Sequence, residues 1–289
     1  MRILFLGTAA SEGWPAVFCQ CLNCERAREI GGKNIRTRSS VIINSDLKID
    51  LPPDTYHHKI SYDVDLARIN FLLITHSHQD HFYPEELNMR AEPFAKLKNG
   101  KILKVYGNEK VHEKLLDVLT NKTLESSVRI QRVKPFESFR TGPYLVTPLL
   151  ADHDKNEQCL IYAISDGERT ILYGHDSGWF PRETWNRLAD FKLDLVIFDC
   201  TNGPSPETRY HMGIKGVLRA KEEMVRMGIA SSGTIFIATH FSHNGGLLHE
   251  ELEEKLKPEN VHVAYDGMRI DISHRSEGSR KTYSRSDRS

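Results

Sequence analysis

Long apolar runs are missing from this sequence. The strongest, such as Ile3–Leu6, Phe71–Ile74 and Leu195–Phe198, fall far short of the roughly 20 residues a membrane-spanning helix needs. Missing too is an excess of either charge: Lys and Arg together number 39, and so do Asp and Glu. Nucleic-acid binders carry a basic excess that displaces counterions from phosphates, so a small substrate is the better expectation and nucleic acid is disfavoured. Met1–Gly7 does not read as a secretion signal, because its apolar part is short and no small-residue cleavage site follows. It is expected to be a first strand, and the protein to be cytoplasmic and away from membranes. Cysteine is scarce, at five residues, and an odd count without a signal argues against a disulfide framework.

What the sequence does contain is a series of short β-rich runs interleaved with helical patterns. Arg2–Leu6, Ser39–Asn44, Leu47–Asp50 and Phe71–Thr75 read as strands, and Pro84–Leu97 as a helix that begins at its proline and breaks at Asn99-Gly100. A strand at Ile102–Tyr106 and a helix at Glu109–Leu119 follow. More strands are expected at 128–133, 144–147, 159–164, 170–173, 195–199 and 234–238, and helices at 181–189, 214–227 and 250–256. Val261–Ala264 and Met268–Ile272 would close the chain as a hairpin around Asp266-Gly267. Two sheets packed face to face with helices outside satisfy this order, an α+β sandwich. Residues 1–272 would make one domain. The tail 273–289 is polar, with no Val, Ile, Leu or Phe, and is expected to be disordered because it cannot offset its ordering entropy.

The most informative segment is Thr75-His76-Ser77-His78-Gln79-Asp80-His81, directly after the apolar run Phe71–Ile74. So many imidazoles beside a carboxylate cannot all face a dry core, since unpaired polar groups are costly to bury. They are the donors that suit zinc and related divalent ions. In an extended turn His76 and His78 can point at one ion while Asp80 and His81 reach a second. Further donors stand at other strand ends: Asp152-His153-Asp154 after Tyr144–Leu150, His175-Asp176 after Ile171–Tyr173, and His240 after Ile235–Thr239. A rigid edge could collect them. His175 competes with Asp176, and His243 with His240, which is favoured because it abuts its strand.

H-x-H-x-D-H followed by a distant His, an Asp after a strand and a final His resembles the metallo-β-lactamase superfamily across nearly the whole chain. Gly7-Thr8, the segment Cys19–Ala27, His240-Phe241-Ser242-His243 and Asp266-Gly267-Met268 resemble more closely the phosphodiesterases of phosphonate degradation that hydrolyse phosphoribosyl 1,2-cyclic phosphate. The resemblance implies an αββα sandwich of two mixed β-sheets. It implies that His76, His78 and His153 hold one metal, that Asp80, His81 and His240 hold another, and that Asp176 bridges them. Two such ions, zinc or manganese, would share a hydroxide for in-line phosphoryl displacement, with Asp80 among the catalytic residues. It also implies that His211 approaches the scissile phosphate, where it could protonate the leaving alkoxide. Asp50-Leu51-Pro52-Pro53 departs from the family, where glycine usually stands two residues after the aspartate.

Cys19, Cys21 and Cys24 present three thiolates, one short of a tetrahedral zinc set. The resemblance supplies His243 as the fourth, giving a structural zinc that would pin the loop after the first strand. Cys159 and Cys200 lie in apolar runs and read as buried free thiols. His57 and His58 read as surface loop residues, while Phe82 and Tyr83 could touch substrate or pack in the core. The leading expectation is a phosphodiesterase for a small cyclic phosphodiester, with a homodimer left open. Ribonuclease Z-like nuclease activity is weighed against it, although no long basic, glycine-rich arm is present. So are lactone or thioester hydrolysis and a non-enzymatic, metal-stabilised carrier.

Overall fold

In a computed structural model the described residues are 1–98 and 101–272. The expected break at Asn99-Gly100 and the expected disordered tail 273–289 lie outside them. Among the described residues, two seven-stranded sheets account for all fourteen strands. The first contains β1 (Arg2–Gly7), β2 (Ser40–Ile43), β3 (Leu47–Ile49), β4 (Phe71–Leu73), β5 (Leu103–Gly107) and β6 (Val128–Arg132) in sequence order, with β14 (Arg269–Asp271) outside β1. The second runs in sequence order from β7 (Phe139–Thr141) through β8 (Tyr144–Leu150), β9 (Leu160–Ser165), β10 (Thr170–Gly174), β11 (Leu195–Asp199) and β12 (Ile235–Thr239) to β13 (Val261–Val263). Both sheets are mixed: β3 to β6 are parallel, as are β10 to β13, while the remaining pairs are antiparallel.

The strands read as near-continuous apolar runs because both faces of each sheet are covered. In β1, Ile3 and Phe5 face the inter-sheet core, with Tyr144, Tyr173 and Ile197, while Leu4 and Leu6 pack outward with Val111 and Leu115. The second sheet turns Val196 and Phe198 outward onto Val217, Met224 and Leu252. The helices supplying these outer layers include α3 (Glu109–Val118), α6 (Ile214–Arg226) and α7 (His249–Leu256). The expected αββα sandwich is what forms.

Local departures have physical causes. The expected helix Pro84–Leu97 is only a 3₁₀ turn, Pro84–Arg90. Pro93 cannot donate to a helix and disfavours helical backbone at Glu92. His57 and His58, read as loop residues, lie on the helix α2 (Thr55–Tyr62), whose N-cap is Asp54. On it His57 is exposed but His58 is fully buried, its Nε2 2.8 Å from Thr37 Oγ1. The cysteine segment continues into another helix, α1 (Leu22–Ile30). The expected closing hairpin does not exist: β13 pairs with β12 and β14 with β1, in different sheets. Asp266 carries the chain across, accepting hydrogen bonds from Thr8 Oγ1 at 2.7 Å and from the Thr37 amide at 2.6 Å.

The candidate metal centre

The C-terminal ends of β4, β8, β10, β11 and β12 open onto one edge of the sandwich, where the next residues of the chain carry the donors. After β4 comes the 75–81 turn, after β8 His153, after β10 His175 and Asp176, and after β12 His240. Lys114 of α3 clamps the first turn, donating to the carbonyls of Ser77 at 2.8 Å and Phe82 at 2.9 Å. Phe82 is fully buried and belongs to the core rather than to a substrate surface. Glu157 accepts from the Ser77 amide at 2.7 Å and from its hydroxyl at 2.6 Å.

Asp176 sits at the middle. Its Oδ2 lies 3.3 Å from His76 Nε2, 3.0 Å from His81 Nε2 and 3.8 Å from His240 Nε2. Its Oδ1 lies 3.4 Å from His153 Nδ1 and 3.2 Å from His211 Nδ1. His78 Nδ1 is 2.9 Å from His76 Nε2 and 3.3 Å from His153 Nε2, and Asp80 Oδ2 is 3.0 Å from His81 Nε2. The residues expected around two ions are therefore in one cluster, and of the two competitors for each role His240 and Asp176 are the ones at its centre. His175 stands behind them, 3.4 Å from Asp50.

The outward nitrogens decide what this cluster can be. His81 Nδ1 faces Asp50 Oδ2 at 2.8 Å, His78 Nε2 faces Asp154 Oδ2 at 3.2 Å, and His240 Nδ1 faces Thr201 Oγ1 at 2.8 Å. His76 Nδ1 is 3.1 Å from Thr75 Oγ1. Each imidazole is thus tied down on its outer side, the arrangement that fixes the tautomer of metal-ligating histidines. The inner nitrogens crowd one another at 2.9 to 3.4 Å, more of them than imidazole–imidazole hydrogen bonds can pair at once, and a cation between them would engage them together. Asp176 Oδ1 is buried and makes no hydrogen bond among the described residues, being faced only by the Nδ1 atoms of His153 and His211 at 3.4 and 3.2 Å, and a cation there would satisfy it directly. Burial and then the charge of His81 push the His76 imidazole well below its usual pKa, keeping a lone pair available. The residues fit divalent ions.

Four of the nine non-glycine residues with positive φ among the described residues lie at this site. Asp50, Asp176, Tyr210 and His240 all adopt left-handed backbone, with φ between 50° and 70° in each case: 60°, 52°, 65° and 62°. Non-glycine residues held this way cost of order 1–3 kcal/mol each and tend to cluster at functional sites.

His211 enters from the loop before α6. Its Nδ1 is 3.1 Å from Asp199 Oδ2, and Asp199 also accepts from the Met212 amide at 2.8 Å. Burial alone would lower the His211 pKa, but the charge and hydrogen bond of Asp199, with Asp176 behind, raise it to about 9. Asp50 and Asp199 were not expected as site residues, and Asp154, named only within a strand-end string, faces the outer nitrogen of His78. Asp50 and Asp199 both end apolar strand-like runs, the same signal that marked the ligands.

A second cluster lies against the β1 loop. Cys19, Cys21, Cys24 and His243 place one donor atom each within 4.8 Å of one another. His243 Nδ1 is 3.4 Å from Cys21 Sγ and 3.7 Å from Cys19 Sγ. A hydrogen bond from the Cys24 backbone, then His243, draws the Cys21 thiol down to about 6. His243 thus belongs to this set and not to the central one, and the four donors fit a closed tetrahedral zinc.

Residues 52–241 match the family model described as a β-lactamase superfamily domain, a span that holds every residue of the central cluster apart from Asp50. The chain belongs to that superfamily. The Cys–His243 set falls outside the matched span. Among relatives of this superfamily member, an octanoyltransferase of Porphyromonas gingivalis (strain ATCC BAA-308 / W83) is 26% identical over 95% of this chain. This chain spans about half that relative's length, 52%. Among solved structures, a diphosphatase from the PhnP family superposes with a TM-score of 0.73 at 22% identity, covering 94% of this chain and 98% of that one. Zn²⁺-bound PqqB from Methylobacterium extorquens gives 0.67 at 18%, covering 94% and 100%. Both share the fold. No helix among the described residues is long and apolar enough to cross a membrane.

Proposed function

We propose that this protein is a metal-dependent hydrolase that opens a small cyclic phosphodiester, with His76, His78 and His153 holding one divalent ion, Asp80, His81 and His240 a second, and Asp176 between them. The observation that carries this reading is the inward crowding of imidazole nitrogens around the buried Asp176 carboxylate. Zinc or manganese bound there would supply Lewis acidity and a water ionised near neutral pH. The chain's own residues do the rest. Asp80, held ionised by His81 against the cost of its burial, keeps its carboxylate charged and available to the second ion. His211 anchors Nδ1 on Asp199, stays protonated at neutral pH and has Nε2 left to donate to a leaving alkoxide. Cys19, Cys21, Cys24 and His243 would hold a structural zinc. It would tie the β1 loop to the segment that carries His240, since a full shell leaves no place for substrate.

The phosphodiester reading takes support from the likeness to the PhnP-family diphosphatase. An acyl-ester or thioester reading takes support from the relative named octanoyltransferase. Metal analysis by mass spectrometry, followed by a substrate panel, separates them. Turnover of bis-p-nitrophenyl phosphate and cyclic nucleotides by the metal-loaded protein is expected. Turnover of an octanoyl thioester or an acyl-lactone in preference to every phosphodiester would replace this reading with the second, and no turnover at full metal occupancy would favour a carrier.

A further inference from the structure

A lysine side chain is buried in the outer layer of the first sheet. Lys48, in β3, is 1% exposed and stands in register between Ile42 of β2 and Leu72 of β4, on the outward face where Tyr62 of α2 also packs. Among the described residues no carboxylate forms an ion pair with it. Burial draws the Lys48 pKa down to about 7, against the opposing charge of Asp50. An apolar side chain would pack as well between Ile42 and Leu72 without the cost of burying an amine. What it could not do is donate a hydrogen bond.

Lys48 Nζ donates to the carbonyl of Asp50 at 2.7 Å and to Ser40 Oγ. Ser40 Oγ in turn lies 3.0 Å from that carbonyl and 2.8 Å from the carbonyl of Ile49. Asp50 stands just past the end of β3 with φ at 60°, and a buried carbonyl beyond a strand's ladder must find its donors elsewhere. An amine keeps an N–H to donate with or without its charge, so this hold persists on both sides of neutral pH. From the turn so fixed, the Asp50 carboxylate accepts from the Thr75 amide and faces His81 Nδ1, both at 2.8 Å.

We propose that Lys48 and Ser40 are a positioning pair for the second ion, the one assigned to Asp80, His81 and His240. They hold the Asp50 carbonyl, the held carbonyl fixes the left-handed turn, and the turn aims the carboxylate that orients His81. This rests on the metal-dependent reading of the centre, but its hydrogen-bond part is tested without metal. Loss of an outer-shell partner typically costs about 10–100-fold in metal affinity, and a pair one step further out falls at the lower end.

The experiment compares wild type with Lys48→Met, Lys48→Gln and Ser40→Ala in three ways: zinc competition against a chelator, melting temperature, and the imidazole N–H proton resonance of His81 in metal-free protein. Lys48→Met fills nearly the same space without a donor. It is expected to bind the second ion about 10-fold more weakly while melting no lower than wild type. Lys48→Gln can still donate an N–H and is expected to recover most of the affinity. Unchanged affinity in Lys48→Met, an equal loss in Lys48→Gln, or losses that merely track falling melting temperatures would overturn the proposal. If Lys48→Met fails to fold, Ser40→Ala carries the test: a roughly 5-fold loss is expected from one missing hydrogen bond, and no loss refutes the pair. The His81 resonance separates this proposal from the reading it rests on. A shift in Lys48→Met, beside a wild type that binds no divalent ion at the centre, keeps the hold on Asp50 and removes the metal-dependent function. Ion binding by wild type, with neither a shift nor a loss of affinity in the variant, does the reverse.

Discussion

His81 Nδ1 donates to Asp50 Oδ2 across 2.8 Å, between two side chains that are both fully buried. Asp50 also accepts from the Thr75 amide at 2.8 Å and its hydroxyl at 3.0 Å, so one carboxylate orients a candidate ligand and the start of the turn that carries four of them. Burial would raise its pKa, but His175 and His81 hold it below the usual carboxylate range. Asp50→Asn keeps the shape and removes the charge. It is expected to weaken metal binding at the Asp80–His81–His240 position by roughly 10–100-fold while leaving the fold intact. Chelator competition followed by metal analysis reads this, and an unchanged affinity would remove Asp50 from the site.

The two metal sets respond differently to deletion. His78→Ala removes an imidazole whose ring is 41% exposed, so the core loses little, and hydrolysis is expected to vanish while the melting temperature holds to within a few degrees. Cys21→Ser strikes a set that joins the β1 loop to His243, and is expected to lower metal content by about one ion together with stability, because structural zinc contributes directly to folding. If Cys21→Ser changed neither quantity, the structural zinc would have to be abandoned.

Much of the centre is readable in the sequence because chemistry and geometry coincide there. The 76–81 string packs its donors into one turn after a strand, and His153, Asp176 and His240 each follow an apolar run whose strand direction brings them to the same edge. What escapes is whatever depends on partners far along the chain. Asp50 and Asp199 carry the strand-end signal, but a lone carboxylate is common on surfaces and only the fold brings His81 and His211 to them. His58 looks like half of a surface pair until α2 buries it against Thr37. The hairpin expected at Asp266-Gly267 fails for the same reason: the local turn signal is genuine, but hydrogen bonds to Thr8 and Thr37 send β14 to the other sheet.

Gly178 offers a test of how closely the His211 loop must be held. A methyl group there would collide with Thr208 O, the Tyr210 nitrogen and Asp152 Oδ2, at 2.3, 2.6 and 2.7 Å. Backbone atoms cannot rotate away, so Gly178→Ala is expected to displace residues 208–211. Overpacking of this kind costs typically about 1–3 kcal/mol. Because misplacing a catalytic group by about 1 Å can cost on the order of 100-fold in rate, kcat should fall much further than stability would suggest. Equal kcat in the two proteins would mean that His211 needs no such fixing.

The last prediction concerns pH and lies away from the metal sets. His249 is buried beneath Tyr265, and its Nδ1 is 3.0 Å from a guanidinium nitrogen of the buried Arg36. A guanidinium can only donate, so the imidazole must accept there and stay neutral. Burial first, then the charges of Arg36 and Lys33, push its pKa down to about 3. In the unfolded chain the same group titrates near 6.5, so between these values the unfolded state binds the extra proton and stability falls as pH falls. The contribution is complete above about pH 6.5 and is lost progressively toward pH 3, at no more than about 1.4 kcal/mol per pH unit. His249→Gln, whose amide oxygen can accept from Arg36 without titrating, is expected to flatten the slope of urea-unfolding free energy between pH 6.5 and 4. If the slope is as steep in the variant as in the wild type, protonation of His249 is not what makes the fold sensitive to acid.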